Sequence, residues 1–441
     1  MAEPKITVEP PGPEARKVLE RDDDAIITNT RTTPVVAESA DGWLVEDVDG
    51  NRFLDFSSGI AVVNTGHCHP GVVDAVQDQA EDLMHFAGTD FYYDAQVSYA
   101  ERLTELAPVP DGKVFYTNSG TEGTEASMKL ARHNTGRPGF LAFRQCFHGR
   151  TFGSLSLTAS KAEQRRGFQP LLAGVFHVPF PNPYRNPWDI DGYAEPDELT
   201  NRVLDRVEEL FEGLAPPEDI AAFFAEPIQG EGGYVMPPEG FFGRLASLLD
   251  EHGILLGIDE VQTGFGRTGE LFAADLFDVE PDLIWLAKGI ASGLPMGAVV
   301  AREQLDFPYK GAHSNTYGGN LVALSAAEAT LDAIEDEDML ANTREVGDHM
   351  RERLEEIQAK HEPIGDVRGV GLMQAIDLVQ DHETREPANQ LQGKVVQGMF
   401  KRGVLVLPCG SSSIRFIPPL NVDRSSVDAA VEVLEETLKA V

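Results

Sequence analysis

The sequence predicts an α/β protein with a large domain, built on a mainly parallel sheet flanked by helices, and a smaller α+β domain. From about residue 60 to residue 320, short apolar runs alternate with helical patterns. Such alternation is typical of parallel strands joined by helical crossovers. After residue 320 the pattern changes to a charged helical stretch over 342–361, followed by apolar runs and a closing helix. These two observations together predict two domains of different architecture.

We expect three regions along the chain: an N-terminal segment 1–60 that packs with the small domain, a large domain 61–320, and a small domain 321–441. Residues 1–40 are rich in Pro and charge and are expected to wrap over the surface. Asp49-Gly50 lies between two apolar runs and predicts a hairpin, because both turn positions tolerate positive φ.

Apolar runs bounded by turn residues predict the strands of both domains. The candidates in the large domain are Lys113–Thr117, Phe140–Phe143, Ala222–Ala225, Ile254–Ile258, Leu283–Leu286 and Ala298–Ala301. The candidates in the small domain lie near 370–378, 403–407 and 414–417. Helical patterns at Glu122–His133 and Phe241–His252 lie between strands of the large domain.

The charge of the chain excludes one class of partner. Acidic residues number 72 and basic residues 36, for a formal net charge of −36. A surface of this sign repels the phosphate backbone of nucleic acids. The acid is spread along the chain, which favours adaptation to a salt-rich cytoplasm where screening relieves the self-repulsion. We expect a cytoplasmic protein without a membrane segment, since no apolar run approaches the roughly 18 residues that a membrane helix needs.

Two polar residues follow neighbouring candidate strands and indicate a chemical site. Ile254–Ile258 ends at Asp259, and Leu283–Leu286 is followed by Lys288. In a parallel sheet both side chains emerge at the carboxyl edge, where ligands bind. Burial lowers the pKa of a Lys and makes its amine more nucleophilic, which suits the formation of a Schiff base. A nearby Asp can keep a pyridine nitrogen protonated. A structural Asp and an exposed Lys remain the alternative on these two residues alone.

A third segment is suited to a phosphate. The run Asn118-Ser119-Gly120-Thr121 joins a candidate strand to a candidate helix. Small residues at a helix start let backbone N–H groups approach a phosphate closely. An ordinary N-cap by Ser119 or Thr121 explains the same residues equally well.

Taken together, five blocks resemble the class III (subgroup II) aminotransferases, which use pyridoxal 5′-phosphate and have the type I fold. The blocks are Thr117-Asn118-Ser119-Gly120-Thr121-Glu122, Phe147-His148-Gly149-Arg150-Thr151, Glu226-Pro227-Ile228-Gln229-Gly230-Glu231-Gly232-Gly233, Asp259-Glu260-Val261-Gln262-Thr263-Gly264-Phe265-Gly266-Arg267-Thr268-Gly269, and Ala287-Lys288-Gly289. The resemblance covers the chain from about residue 30. It implies that the chain is an enzyme, with an amino donor and a 2-oxo acid as its substrates.

The resemblance implies a role for each cofactor residue. Lys288 would carry the cofactor and shuttle the proton, and Asp259 would pair with the pyridine nitrogen. Phe147 would stack on the ring, and Gln262 would lie near the ring hydroxyl.

The phosphate residues follow in the same way. Gly120 and Thr121 would meet the phosphate of their own subunit. Thr316, in the block Ser314–Asn320, would reach the phosphate of the partner subunit. This last role implies a homodimer with shared active sites.

Substrate residues are implied at five positions. Arg150 matches the residue that binds the carboxylate distant from the reacting amine, and Arg415 matches the residue that binds the α-carboxylate of glutamate. Glu231 matches the acid that covers this second Arg when the donor has no α-carboxylate. Glu226 begins the same block and is also placed at the substrate. Ile60 lies where ornithine enzymes tend to carry Tyr, which favours a 4-aminobutyrate-like donor.

Three functions stay open, with transamination of an ω-amino acid, best 4-aminobutyrate, by 2-oxoglutarate as the leading one. Archaeal relatives that resemble Thr89–Tyr93 and Ser154–Lys161 include amino-acid racemases, so racemisation is the second reading. Ornithine or acetylornithine transamination is the third. Gly264–Gly269 is a literal G-x-G-x-x-G, but no helical pattern follows it, which argues against a nicotinamide site. His67-Cys68-His69 lacks a second ligand pair, so we expect no metal there.

Overall fold

The N-terminal region contains a helix that the sequence analysis did not predict. In the computed structural model, which describes residues 3–441, α1 runs over Pro13–Ala25. Pro13 fits the first helical position because the N–H that it lacks has no partner there. The Asp49 carboxylate accepts the N–H groups of Glu14 (2.9 Å) and Ala15 (2.8 Å). The sequence analysis did not predict this helix, because the carboxylate that caps it lies in a hairpin distant along the chain.

The predicted hairpin is present. Strands β1 (Ala37–Asp41), β2 (Leu44–Asp47) and β3 (Arg52–Asp55) form an antiparallel sheet, with Gly50 at φ +76° in the β2–β3 turn. The short strand Val404–Leu405, from the C-terminal part of the chain, adds parallel to β3. The N-terminal segment thus shares a sheet with residues beyond 400.

Seven strands form the central sheet and confirm a mainly parallel architecture. They are β4 (Gly112–Thr117), β5 (Gly139–Phe143), β6 (Val175–Val178), β7 (Ile220–Ala225), β8 (Leu255–Asp259), β9 (Leu283–Leu286) and β10 (Gly297–Arg302). Their spatial order is β4-β10-β9-β8-β7-β5-β6. Strands β5 and β7 are buried throughout, as continuous apolar strands covered on both faces must be.

Two details of this sheet were not predicted. Strand β10 runs antiparallel to both of its neighbours. Strand β6 was missed, because it is short and only half-buried at three of its four residues. Neither difference alters the carboxyl edge of β8 and β9, which are parallel to each other.

Helices cover the sheet and lead into the second domain. They are α2 (Ser58–Ala61), α3 (Pro70–Asp82), α4 (Asp94–Leu106), α5 (Gly120–Thr135), α6 (Phe152–Leu157), α7 (Ala162–Arg165), α8 (Pro196–Glu212), α9 (Phe241–Glu251), α10 (Ala273–Leu276) and α11 (Leu321–Asp336). Single 3₁₀ turns occur at Pro217–Asp219 and Lys288–Ala291. Helix α11 follows residue 320 but packs against α3 and α4, which precede it. The division between the domains at residue 320 stays a prediction.

The small domain is a separate antiparallel sheet with helices. Its elements are α12 (Met339–Gln358), β11 (Ile364–Val370), β12 (Met373–Leu378), α13 (Asn389–Lys401), β13 (Val404–Leu405), β14 (Leu407–Cys409), β15 (Ser413–Phe416) and α14 (Arg424–Ala440). Strands β11, β12, β15 and β14 form the sheet in that order. Among residues 3–441, no helix has the length and apolar character required to span a bilayer.

Candidate active site

The carboxyl edge of the central sheet opens into a cavity of about 470 Å³. Asp259 is the last residue of β8 and Lys288 follows β9, so the parallel pairing of these strands places both at the same edge. Both residues line the cavity, as the strand ends predict. Gly120, Thr121, Phe147, Arg150, Glu226, Glu231 and Gln262 line it as well.

Lys288 has the properties of a reactive amine. It opens a 3₁₀ turn at φ +50°, a conformation that is uncommon for non-glycine residues. Within the described chain its Nζ has no hydrogen-bond or ion-pair partner. Burial, followed by the charge of Arg415, lowers the pKa of Lys288. A lowered pKa leaves more of the amine neutral, and only the neutral amine is a nucleophile or a base.

Asp259 is held by a histidine that sequence reasoning gave no role. Its Oδ2 lies 2.7 Å from Nδ1 of His148, and its Oδ1 accepts the N–H of Val261 at 3.0 Å. Burial would lower the pKa of His148, but Cys146 and Asp259 raise it well above its ordinary value. A protonated His148 forms an ion pair with the Asp259 carboxylate and fixes its orientation. The only signal in the sequence was the position of His148 directly after the stacking residue Phe147.

The start of α5 is capped as its residues predicted, and two of its small residues lie on the cavity wall. Ser119 caps the helix through the N–H of Glu122 at 3.4 Å, and Glu122 accepts the N–H of Asn118 at 2.8 Å. This reciprocal capping leaves Gly120 and Thr121 on the cavity wall at the positive end of a 16-residue helix. A Cβ at Gly120 would come within 2.9 Å of the Val261 side chain, so only glycine fits there.

The remaining cavity wall fits the ring of pyridoxal phosphate. Phe147 offers an aromatic face, and Gln262 is buried with its Oε1 lacking a hydrogen-bond partner. An unpaired buried amide oxygen suits the ring hydroxyl, because burying it alone costs free energy. An amine, a carboxylate for the ring nitrogen and a helix start for the phosphate are thus present in one cavity. Pyridoxal phosphate would be held by Lys288, Asp259 and the start of α5.

Glu226 braces the wall of the cavity. Its Oε2 accepts the N–H of Phe147 and its Oε1 that of Gly230, both at 2.9 Å. Burial raises the pKa of Glu226 to about 7, and Asp259 adds to the shift while His148 opposes it. Because both oxygens already accept backbone N–H groups, Glu226 fixes the backbone of Phe147, and its contact with substrate stays a prediction.

Glu231 and Arg415 form a pair that joins the two domains. Arg415, on β15, donates from Nη2 to Oε1 of Glu231 at 2.8 Å. Glu231 lines the cavity whereas Arg415 does not, so Glu231 stands between the guanidinium and the cavity. The Nε and Nη1 atoms of Arg415 are buried without partners in the described structure. Burial would raise the pKa of Glu231, but the Arg415 charge outweighs this effect and lowers it.

Three other predicted residues lie nearer the surface. Arg150 is exposed on the cavity wall, with its guanidinium carbon 5.7 Å from the centre of the Phe147 ring. Ile60 has φ +69° in the turn Ser58–Ala61 and is 42% exposed, outside the cavity lining. Thr316 is exposed and does not line the cavity of its own subunit. The sequence analysis also missed part of the wall, the loop Gly293–Met296, because no polar residue marks it.

The two remaining motifs are His67-Cys68-His69 and Gly264–Gly269, and their surroundings in the fold explain them. His67 contacts Asp55 at 2.8 Å and His69 contacts Glu337 at 2.7 Å, so the two rings engage different carboxylates. Pro70 begins α3 directly afterwards. No helix opens at Gly264–Gly269, where the backbone follows a series of turns.

Comparison with known proteins agrees with this geometry. The pattern of the family described as Aminotransferase class-III matches residues 26–438. An alanine/serine racemase of Pyrococcus horikoshii is 42% identical over 100% of this chain and 93% of its own length. A 5-aminovalerate aminotransferase of Pseudomonas aeruginosa is 38% identical, with coverage of 91% and 93%. A 4-aminobutyrate aminotransferase of Mycobacterium leprae is 37% identical, with coverage of 98% for both chains.

Solved structures show the same fold. The PLP-bound amine transaminase of an uncultivated Pseudomonas species superimposes with a TM-score of 0.88 at 33% identity, covering 94% of this chain and 98% of its own. An aminotransferase of Bacillus anthracis gives a TM-score of 0.90 at 29% identity, with coverage of 97% and 99%. The chain therefore belongs to the class-III aminotransferases, and its cofactor is pyridoxal phosphate.

Proposed function

We propose that the protein transfers the amino group of an ω-amino acid, best 4-aminobutyrate, to 2-oxoglutarate, giving the semialdehyde and glutamate. The observation that carries this proposal is the Glu231–Arg415 pair of 2.8 Å beside the cavity. A donor without an α-carboxylate leaves Arg415 uncompensated unless an acid of the protein covers it, and a buried unpaired charge is costly. Glutamate brings its own α-carboxylate and can take the place of Glu231.

The residues of the cavity divide the work of such a reaction. Bound pyridoxal phosphate supplies an aldehyde for the substrate amine and a ring that stabilises negative charge on the adjacent carbon. Asp259 holds a proton at the ring nitrogen, and His148 orients the Asp259 carboxylate. Lys288, with its lowered pKa, takes the proton from the substrate carbon and returns it. Arg150 binds the carboxylate distant from the amine, since its planar fork fits a carboxylate with two hydrogen bonds.

The choice of donor draws support from the relatives. Two of them, at 37% and 38% identity, are aminotransferases for 4-aminobutyrate and 5-aminovalerate. Both named substrates carry an ω-amine and a single carboxylate. The resemblance also favours such a donor over ornithine, because Ile60 lies where ornithine enzymes tend to carry Tyr.

We also propose that the enzyme works as a homodimer. Thr316 is exposed and outside its own cavity, as expected if it reaches the phosphate of the partner subunit. Large apolar side chains are exposed on the same protomer, among them Phe86, Phe91 and Tyr92. Light scattering of the holoenzyme measures this directly, and a monomeric mass at working concentration would contradict it.

Racemisation is the second candidate, because the alanine/serine racemase is 42% identical over the whole chain. Both reactions require Lys288 and Asp259. They differ in where the proton returns, either to the cofactor or to the α-carbon.

A panel of amino donors with 2-oxoglutarate, run beside loss of optical rotation of single amino acids, decides between the two. We expect 4-aminobutyrate or 5-aminovalerate to yield glutamate at the highest rate, with little racemisation of alanine or serine. Lys288→Ala is the control and should abolish every activity, because no other amine is placed to react. Fast racemisation without glutamate formation would reverse the assignment.

A further inference from the structure

We propose that Lys161 is a positioning residue, the outer cation that receives Glu231 when an α-carboxylate occupies Arg415. This inference rests on the proposed exchange of Glu231 for a substrate carboxylate and names the residue that stabilises the exchanged position. Lys161 lies at the start of α7 and does not line the cavity.

The Glu231 carboxylate is suspended between two cations of unequal burial. Its Oε1 contacts Nη2 of Arg415 at 2.8 Å, and its Oε2 lies 3.9 Å from Nζ of Lys161. The side chain of Arg415 is 5% exposed and that of Lys161 is 35% exposed. One partner is therefore on the inner side of Glu231 and the other on the solvent side.

Lys161 is held at a fixed place relative to the cofactor residues. The N–H of Ala159 donates to the carbonyl of Cys146 at 2.9 Å, and the carbonyl of Ala159 accepts the N–H of Gln145 at 3.2 Å. Thr158 Oγ1 accepts the N–H of His148 at 2.9 Å and donates to the carbonyl of Gly149 at 2.9 Å. The segment that ends at Lys161 is thus bonded to the loop that carries Phe147.

The backbone of Glu231 is fixed as well, which leaves only its side chain to move. Its carbonyl accepts the N–H of Gly410 at 2.8 Å. A Cβ at the neighbouring Gly232 would come within 2.7 Å of the Gln145 carbonyl oxygen, so the loop is packed against the same segment. A movement of about 1 Å toward Lys161 suffices to turn the present separation into a hydrogen-bonded pair.

The charges define two positions of the Glu231 side chain, one on Arg415 and one toward Lys161. When Arg415 has no α-carboxylate partner, Glu231 stays on the inner cation. When a substrate carboxylate binds Arg415, repulsion between the two carboxylates displaces Glu231, and Lys161 compensates its charge. Lys161 has no other acidic partner within 4 Å in the part of the chain that the structure describes. Burial would raise the pKa of Glu231, but Arg415 and Lys161 both lower it in the position that the structure shows.

The test measures the two half-reactions of the holoenzyme separately, by the absorbance change of the cofactor. Lys161→Gln should raise the glutamate concentration for half-maximal rate about two- to fivefold, the range expected for a partly exposed ion pair. The half-reaction with 4-aminobutyrate should be unchanged, because it leaves Glu231 on Arg415. Lys161→Arg should restore glutamate binding, and Lys161→Glu should weaken it more than Lys161→Gln does. The difference should shrink in molar KCl, where exposed charges are screened.

Lys394→Gln, on the exposed face of α13, is the matched control for the loss of one positive charge. Equal changes in both half-reactions, or no change with glutamate, would overturn the role of Lys161. Failure of the wild-type enzyme to react with 4-aminobutyrate would contradict the proposed donor instead. The comparison of variants would then be run with alanine, which also carries an α-carboxylate, so the two failures are distinguishable.

Discussion

Two buried arginines on the same small sheet are partnered very differently. Arg368, on β11, donates to Asp366, Asp377, Ser413 and the carbonyl of Gly233 at 2.7–2.8 Å. Arg415, on β15, has Glu231 as its one ion-pair partner among residues 3–441, and two of its three nitrogens are unpaired. Both are less than 10% exposed, so burial alone does not distinguish them.

The difference indicates which arginine serves the fold and which serves a ligand. A guanidinium whose three nitrogens are all hydrogen-bonded has little left to offer a ligand, and its removal leaves the carboxylates that it neutralises without a partner. A guanidinium with buried, unpaired donors beside a cavity can still form charge-assisted hydrogen bonds with the carboxylate of a ligand. Those bonds would contribute to the free energy of binding. Both pKa values are raised above the ordinary one, because acidic neighbours outweigh the lowering by burial. Charge state therefore cannot separate the two roles, but counting hydrogen bonds can.

The largest expected effect comes from Arg368→Met. It leaves Asp366 and part of Asp377 uncompensated in the small domain, which typically costs about 3–5 kcal/mol. We expect a lower free energy of unfolding in urea and an equal fall of both half-reactions, in proportion to the unfolded fraction. Arg202→Met on exposed α8 is the surface control. A fully stable variant would show that the saturated cluster is not structural.

Arg415→Ala should separate the two half-reactions. Loss of a buried charge-assisted pair is worth roughly 2–5 kcal/mol, or about 30- to several-thousand-fold in rate with glutamate. The 4-aminobutyrate half should change far less, and Glu231→Ala should show the reverse preference. Single-turnover rates for each half measure this. If both variants slow both halves equally, Arg415 is structural like Arg368 and the exchange is wrong.

The Arg368 cluster and the cavity wall also differ in the pKa of a buried carboxylate, Asp377 in the first and Glu226 in the second. This difference gives a smaller, pH-dependent effect. Burial would raise the pKa of Asp377, but Arg368 and Arg185 lower it to about 2, whereas burial raises that of Glu226 to about 7 from 4.5. Folded Glu226 holds a proton that the unfolded chain has released, so stability falls as pH rises from about 4.5 to above 7. Asp377 is ionised in both states across that window and contributes no slope.

Glu226→Gln should remove this slope, on the order of 2–3 kcal/mol between pH 4.5 and 8. Any constant offset from the altered hydrogen bonds to Phe147 and Gly230 cancels in the comparison between pH values. Glu208→Gln on the exposed face of α8 controls for the change in net charge. Unfolding free energies of the three proteins at several pH values are the measurement, and parallel curves for all three would contradict the raised pKa of Glu226.

Local pattern predicted much of the fold and the cofactor site. Continuous apolar runs predicted β5, β7, β8 and β9, because strands buried on both faces need apolar residues at every position. The same logic missed β6, which is only half-buried, and α1, whose start depends on a carboxylate more than thirty residues away. It also could not show that β10 runs antiparallel, since direction depends on how the chain returns to the sheet.

The sequence by itself determined the cofactor through the five blocks that together resemble the class III aminotransferases. Local pattern placed Lys288, Asp259 and the start of α5 at element ends but left a structural reading of each open. The tertiary structure alone decided which distant residues meet there. It brings Arg415 of the small domain behind Glu231, places Lys161 on the solvent side, and sets His148 against Asp259. It also leaves Thr316 outside its own cavity. These contacts join segments tens to hundreds of residues apart, and their geometry follows from the packing of domains rather than from any local period.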